Sequence, residues 1–536
     1  MSTEQPQDET PRGSMDTPAP GEQPGGQPLE ERGDNRSQRP SSESFKAFMS
    51  SQWGAEPAEL PERDAVADHA ARRRKALSLK FPGERLVIPA GPLKVRSNDT
   101  DYRFRAHSAF AHLTGLGLDH EPDAVLVFEP TDEGEGDDGG NHHATLYFRP
   151  LAGRDSEEFY SNARYGSFWI GERAGLDEIS ASHGISTADA SGLEVAVTKD
   201  AGAVEIGGTR IRLVREVDLN CDALVDTSRI NTGVALEASD ALDAELAAAC
   251  SELRLRKDEW EAGEMRKAVD ATLKGFDRAM GELARAVAHQ RGERVLEGAF
   301  FANAREEGND LGYDTISASG NNATTLHWIR NNGRVNEGEL LLMDAGVEVD
   351  SLYTADVTRT VPVSGSFSPV QRKVYEAVLE AADAAFEAAK KPGAKFADLH
   401  ATAVEVLAKN LDAWGVLPVS LEEALSPEGQ QHRRWMPHGT SHHLGLDVHD
   451  CAQAKRELYL DAELEEGMCF TIEPGLYFKK DDLSVPEEYR GIGVRIEDDI
   501  LMTAEGPVSL SAALPRTADD VESWIQSKLG EAGQRG

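Results

Sequence analysis

Residues 436–450 read MPHGTSHHLGLDVHD, which puts four histidines and two aspartates in fifteen residues, with glycines at 439 and 445 that let the backbone pass close to whatever those side chains hold. One histidine alone is ordinarily a satisfied core or surface residue. The stretches on either side of this cluster change that reading.

Upstream, residues 340–360 (LLLMDAGVEVDSLYTADVTRT) set Asp344 and Asp356 at the edges of β-rich segments. Downstream, residues 469–478 (CFTIEPGLYF) and 489–500 (YRGIGVRIEDDI) set Glu473 and Glu497 in runs that otherwise read as buried strand. An ionised carboxylate in such a place is costly unless it is paired or binds a metal. Strand alternation sharpens the point: Leu341 and Met343 face away from Asp344, Phe470 and Ile472 away from Glu473, Val494 and Ile496 away from Arg495 and Glu497. Each strand can bury an apolar face and aim one acid at a common centre. Four carboxylates and one imidazole form a hard, oxygen-rich donor set that suits Mn²⁺ and accepts Co²⁺ or Zn²⁺. One divalent ion does not neutralise four acids, whereas two do, and paired metals about 3.5–4 Å apart are a common device for activating water.

The order of these motifs, Asp344 in DAG, Asp356 in ADVTRT, His442 in HGTSHHLGLDVH, Glu473 in IEPG and Glu497 in RIEDD, resembles the pita-bread metallopeptidases, and among them the aminopeptidase P (Xaa-Pro aminopeptidase) family. The likeness covers residues 253–520 and extends more loosely into the N-terminal half. It implies two divalent metal ions per subunit, Mn²⁺ being the first choice. Asp344 would then chelate one ion, Asp356 and Glu497 would bridge, and His442 and Glu473 would complete the second. The nucleophile would be a bridging hydroxide and Glu473 would shuttle its proton. His327, in TTLHW, with His438 and His449, falls at positions that bind substrate and steady a tetrahedral intermediate. Arg495 shares a strand face with Glu497 and would orient a ligand carboxylate. His443 matches no role and is read as structural or substrate-lining. Asp344 and Asp356 stand one residue further apart than is usual in the family. With DAG and DVTRT intact, the extra residue is expected in the turn near Asp350 and Ser351, since within a strand it would flip the side-chain phase.

The implied fold is α+β, an N-terminal α/β domain followed by a pita-bread domain, a curved antiparallel sheet backed by helices. The implied activity is release of the first residue from peptides with proline at the second position. Alternatives within the fold are a prolidase confined to Xaa-Pro dipeptides, a methionine aminopeptidase, against which the length and N-terminal domain count, and a non-catalytic binding module. No HExxH helix or G-x-S-x-G elbow offers a different hydrolase chemistry. The resemblance further implies a homo-oligomer, dimer or tetramer, with N-terminal domains bordering neighbouring active sites.

At 536 residues the chain is long enough for two or three domains. A formal charge of −38 argues against nucleic acid or an anionic membrane as partner. The four cysteines, 221, 250, 451 and 469, form no CxxC pair, and no apolar run suits a signal core or a membrane span. A cytoplasmic setting is the expectation. Residues 1–60 are rich in Pro, Gly, Gln, Ser and Glu and are expected to be disordered, with the aromatic segment 41–53 as the part able to dock; 526–536 reads as a C-terminal tail.

Between these lie an N-terminal domain, 61–248, and the metallopeptidase domain, 249–525. In the former, RLVIPAG, DAVLVFEP, ATLYFRP, LEVAV and TRIRLVREV read as strands and ARRRKAL as a solvated helix face, while the resemblance puts Asp99 at the position of an acid that helps form the substrate pocket. GEGDDG at 134–139 satisfies GxGxxG, but its acids would repel a pyrophosphate; an exposed loop is the reading, with His142 and His143 part of it. In the latter, Met265, Val269, Leu273, Phe276, Met280 and Leu283 mark a core-facing helix, and SPVQ starts a second at about 370–390.

Overall fold

A computed structural model describes residues 42–54, 59–98, 100–118, 122–203 and 207–535. Residues 1–41 of the expected tail and Asp99 lie outside the described residues. The chain divides into two compact units.

The smaller unit joins the N-terminal segment to residues 95–100 and 151–173. Here residues 42–54 are not featureless. Ser42 accepts a hydrogen bond from the Phe45 amide and caps a helix, Glu43–Met49. Phe45 meets Tyr160 edge-on at 5.7 Å, Trp53 meets Phe159 at 5.4 Å, and Lys46 pairs with Glu157 at 3.1 Å.

The larger unit contains everything else. Its N-terminal part is a five-stranded sheet in the order Ser186–Asp189, His142–Phe148, Val125–Pro130, Arg85–Pro89, Ile211–Leu213. The two outer strands run parallel to their neighbours and the inner pairings are antiparallel. Both faces are covered, which is why RLVIP is apolar almost throughout: Leu86 and Ile88 pack with Leu77 and Leu246 on one side, Val87 with Val125, Val197 and Val225 on the other.

Three local expectations are corrected. LEVAV forms a helix, Leu193–Thr198, on the connection between the two edge strands, where Val197 packs against Val87 and Val125 of the sheet; a short apolar run does not distinguish the two states. The strand in this region is instead Ser186–Asp189. ARRRKAL does lie on a helix, Val66–Lys80, but Arg73 and Arg74 are buried. Arg73 pairs with Asp258 at 2.7 Å and donates to the His112 carbonyl, and Arg74 donates to the Leu113 carbonyl. His142 and His143 open a strand rather than lie in the loop, with the His142 ring bonded to Ser78 and to the Glu84 carbonyl. The GEGDDG segment itself is an acidic turn, held by Asp137, which accepts from the Ala144 amide and pairs with His143.

The C-terminal part buries the predicted helix, Glu259–Gly281, through Met265, Val269, Phe276 and Met280; Asp258 caps it with Glu261 returning the bond. Pro369–Ala389 is the second, with Ser368 and Gln371 forming the same box. These helices and Gly292–Glu307 and Phe396–Ala413 pack on antiparallel strands. One set is Ile316–Ser319, Leu340–Ala345 and Val357–Pro362; the other is Cys469–Ile472 with Asp498–Thr503 and Gly506–Ser509. Gly475–Phe478 pairs with Ile492–Arg495 and prolongs the latter set beyond a two-residue break in each strand. Among the described residues no helix is long and apolar enough to cross a membrane.

Candidate metal centre

Asp344 sits inside Leu340–Ala345, and Asp356 immediately precedes Val357–Pro362; the two strands pair without interruption from Leu340↔Pro362 to Ala345↔Val357. Leu341 and Met343 go into the main core, leaving Asp344 on the other face. The ladder therefore has no room for an extra residue. The spare length lies in the connection, where the Val349 amide donates to the Tyr353 carbonyl at 3.0 Å and Leu352 adopts φ +71°. Both aspartates keep their phase, and the Tyr313 hydroxyl contacts both of them, at 2.6 Å for Asp344.

Glu473 and Glu497 occupy the two breaks between paired strands. Ile472 opposes Asp498 on one side of the break and Gly475 opposes Arg495 on the other, so the two acids lie across from each other, outside the regular ladder. The Glu497 amide donates to the Thr358 carbonyl at 3.1 Å and its carboxylate accepts from the Thr358 hydroxyl at 2.6 Å. That contact joins the two sets of strands. The histidine stretch runs beside Cys469–Ile472, with the Thr471 amide donating to the His442 carbonyl and the Glu473 amide to the Thr440 carbonyl. His442 Nε2 is thereby placed 3.3 Å from Asp356 Oδ2 and 3.5 Å from Glu473 Oε1. One donor atom from each of Asp356, His442 and Glu497 falls within 4.8 Å of the others.

The remaining predicted residues surround this group. Arg495 forms an ion pair with Asp344 and donates to the Tyr477 hydroxyl at 3.0 Å. Tyr477 in turn lies 2.8 Å from His438 Nε2, while His438 Nδ1 is 3.7 Å from Glu473. The exposed ring of His449 stands edge-on to His442 at 4.6 Å. His327 lines, with Tyr477, a cavity of about 650 Å³.

The electrostatics are those of a cation site. Burial, followed by the neighbouring charges of Asp356 and Glu473, drives the Glu497 carboxyl well above its ordinary range. Burial also lifts Glu473 to about 7, against the pull of His442 and Arg495, and it raises Asp344 despite Arg495. Burial opposes a charged His442, but the hydrogen bond to Asp356 and the charge of Glu473 outweigh it and raise the ring to about 9. His438 is pushed down to about 3 by burial and by Arg495, which keeps the ring neutral. Buried acids crowded enough to resist ionisation, with Arg495 and a protonated His442 as the cations among them, are short of positive charge, and their oxygen-rich donor set fits hard divalent ions.

The other members of the histidine stretch serve its packing. His443 is fully buried, stacks on Phe396 at 4.7 Å, and neither ring nitrogen has a hydrogen-bond partner among the described residues. Asp450 pairs with Arg254 at 2.8 Å and Lys257 at 3.3 Å. Gly445 must be glycine here, because a Cβ would collide with both Asp450 and Lys257. Sequence reading missed Tyr313, Thr358, Tyr477 and Asp499, the last accepting from the Asp356 amide at 3.0 Å. Two of these carried a signal: Tyr477 and Thr358 share strand parity with Glu473 and Asp356.

Comparison with known proteins places this geometry in context. The signature of metallopeptidase family M24 matches residues 263–504, and that of the aminopeptidase P N-terminal domain matches residues 69–199. Xaa-Pro aminopeptidase 1 of Streptomyces coelicolor is 48% identical over 482 residues, covering 90% of this chain and 92% of that protein. The Escherichia coli Xaa-Pro aminopeptidase is 30% identical over 457 residues, covering 85% and 96%. A structure of zinc-substituted Escherichia coli aminopeptidase P in complex with product superposes with a TM-score of 0.72 at 28% identity, covering 87% of this chain and 99% of that one. Residues whose side chains converge on one buried acidic centre thus sit in a chain that aligns with these relatives almost from end to end, and the chain belongs to the aminopeptidase P family of M24 metallopeptidases.

Proposed function

We propose that this protein is a metal-dependent Xaa-Pro aminopeptidase that removes the first residue from peptides with proline second. The observation that carries the reading is the convergence of Asp344, Asp356, His442, Glu473 and Glu497 on one buried centre, in a chain whose relatives bear that activity in their names. In this reading the five residues would hold two divalent ions, Mn²⁺ in the first instance. When bound, the ions supply Lewis acidity and an activated water for hydrolysis. The chain's own part is positioning and proton handling. Glu473, the least enclosed of the acids, takes and returns the proton; neutral His438 and the Tyr477 hydroxyl face the carbonyl of the scissile bond. His327 and His449 border the substrate, and Arg495 holds Asp344 and Tyr477 in place. A pocket shaped for the proline ring accepts a nitrogen without a hydrogen, whereas an ordinary amide brings an unmatched donor.

A cytoplasmic homo-oligomer, with working domains of 61–248 and 249–525, completes the proposal. The test is enzyme stripped of metal, reloaded with Mn²⁺ and given Xaa-Pro dipeptides, longer Xaa-Pro peptides, and the same peptides with alanine in place of proline. Cleavage of the proline peptides of tripeptide length and above, with little action on the alanine series, is the expected result. Action on dipeptides alone would make the enzyme a prolidase.

A further inference from the structure

The cavity lined by His327 and Tyr477 has a feature the proposed chemistry does not use. Its wall includes His327, Pro437, Tyr477, Lys479 and Asp481. Leu476 and Phe478 are in the core, so Tyr477 and Lys479 share the opposite side of one extended segment. Tyr477 marks the catalytic end through its contacts with His438 and Arg495. Lys479 stands two residues along, roughly 6.6 Å at strand rise, which is also the span of two residues of an extended peptide.

The Lys479 ammonium donates to the Thr324 carbonyl at 3.0 Å, which fixes its head at the cavity wall. It has no carboxylate within ion-pair distance among the described residues, and an ammonium keeps two further donors. Arg434, the other cation on the wall, is already engaged with Asp482 at 2.8 and 3.0 Å. Asp481 shares the rim without pairing with Lys479, so that positive charge is not cancelled.

We propose that Lys479 is a specificity residue that receives the terminal carboxylate of tripeptides, substrates whose chain ends one residue after the proline. This rests on the proposed peptidase activity and adds to it a preference for short substrates bearing a free carboxylate. The Mn²⁺-loaded enzyme is given an Xaa-Pro-Xaa tripeptide as free acid, the same tripeptide as C-terminal amide, and an Xaa-Pro hexapeptide. The free acid should show a KM lower by about fivefold than the amide, the size of a part-exposed charge pair, with kcat within about twofold. Lys479→Met should abolish that difference by raising KM for the acid alone, leaving amide and hexapeptide unchanged, and Lys479→Arg should retain it. Asp481→Asn should preserve or enlarge it. Equal KM for acid and amide in the unaltered enzyme, or a preference that survives Lys479→Met, overturns the inference. Failure to cleave any of the three peptides instead overturns the peptidase reading on which it rests.

Discussion

Arg254 and Asp450, 196 residues apart in the chain, form an ion pair of 2.8 Å that is almost wholly sealed from solvent. Lys257, also buried, is the second cation on the same carboxylate. Asp450→Ala should destabilise the protein by about 3–5 kcal/mol, because it strands two buried cations. Denaturant unfolding of the metal-loaded protein measures this. A loss under about 1 kcal/mol would mean that water reaches the pair.

Glu497 is predicted to work against the fold when no metal is present. It must be held in a site where Asp356 and Glu473 already repel it. Glu497→Gln keeps the shape and an acceptor for the Thr358 hydroxyl. It should stabilise metal-stripped protein by about 1–3 kcal/mol while lowering peptidase activity by roughly a hundredfold or more and reducing metal stoichiometry. Thermal melts with and without Mn²⁺, read beside metal analysis, separate the two effects. A variant that is both active and fully loaded would refute the assigned ligand set.

His107 caps the helix Ser108–Thr114 by accepting from the Ala109 amide through Nδ1, a bond that a protonated ring cannot accept. Burial, with a contribution from Arg254, lowers its pKa to about 4, against about 6.5 when unfolded. The unfolded chain therefore binds the proton first as pH falls. Stability from this group is complete above about 6.5 and is lost on the way down to 4, amounting to about 2 kcal/mol between pH 7 and pH 5. His107→Asn retains a capping oxygen without the titration, so its unfolding free energy should fall less over that interval. Parallel pH dependences for the two proteins would count against it.

His443 should tolerate loss of its nitrogens. Its ring lies between Phe396, Tyr459 and Phe470, with both polar atoms unmatched. His443→Phe is expected to raise stability by about 1 kcal/mol and leave kcat/KM within about twofold. A large fall in kcat/KM with metals retained would show that the ring serves the substrate after all.

The acids were legible because alternation is a local property: once Phe470, Ile472, Val494 and Ile496 are assigned to the core, Glu473 and Glu497 have one direction left. The turn after Val349 was legible for the same reason, since DAG and DVTRT fix both ends of the ladder. Tyr313 was not. Its contact with Asp344 depends on a loop brought in by the strand Ile316–Ser319, and nothing near it in sequence announces that role. LEVAV and ARRRKAL failed for a related reason, because their states are decided by the neighbouring sheet and by Asp258, far away in the chain.

The stretch from which the reading began is fastened from outside the metallopeptidase half. Arg105 donates to the Leu446 carbonyl and the Ser108 hydroxyl to Asp447 at 2.5 Å. The two halves are therefore not interchangeable modules. A hybrid that joins this metallopeptidase domain to another relative's N-terminal portion would inherit His442 and His449 on a loop without these two moorings, unless Arg105 and Ser108 travel with it.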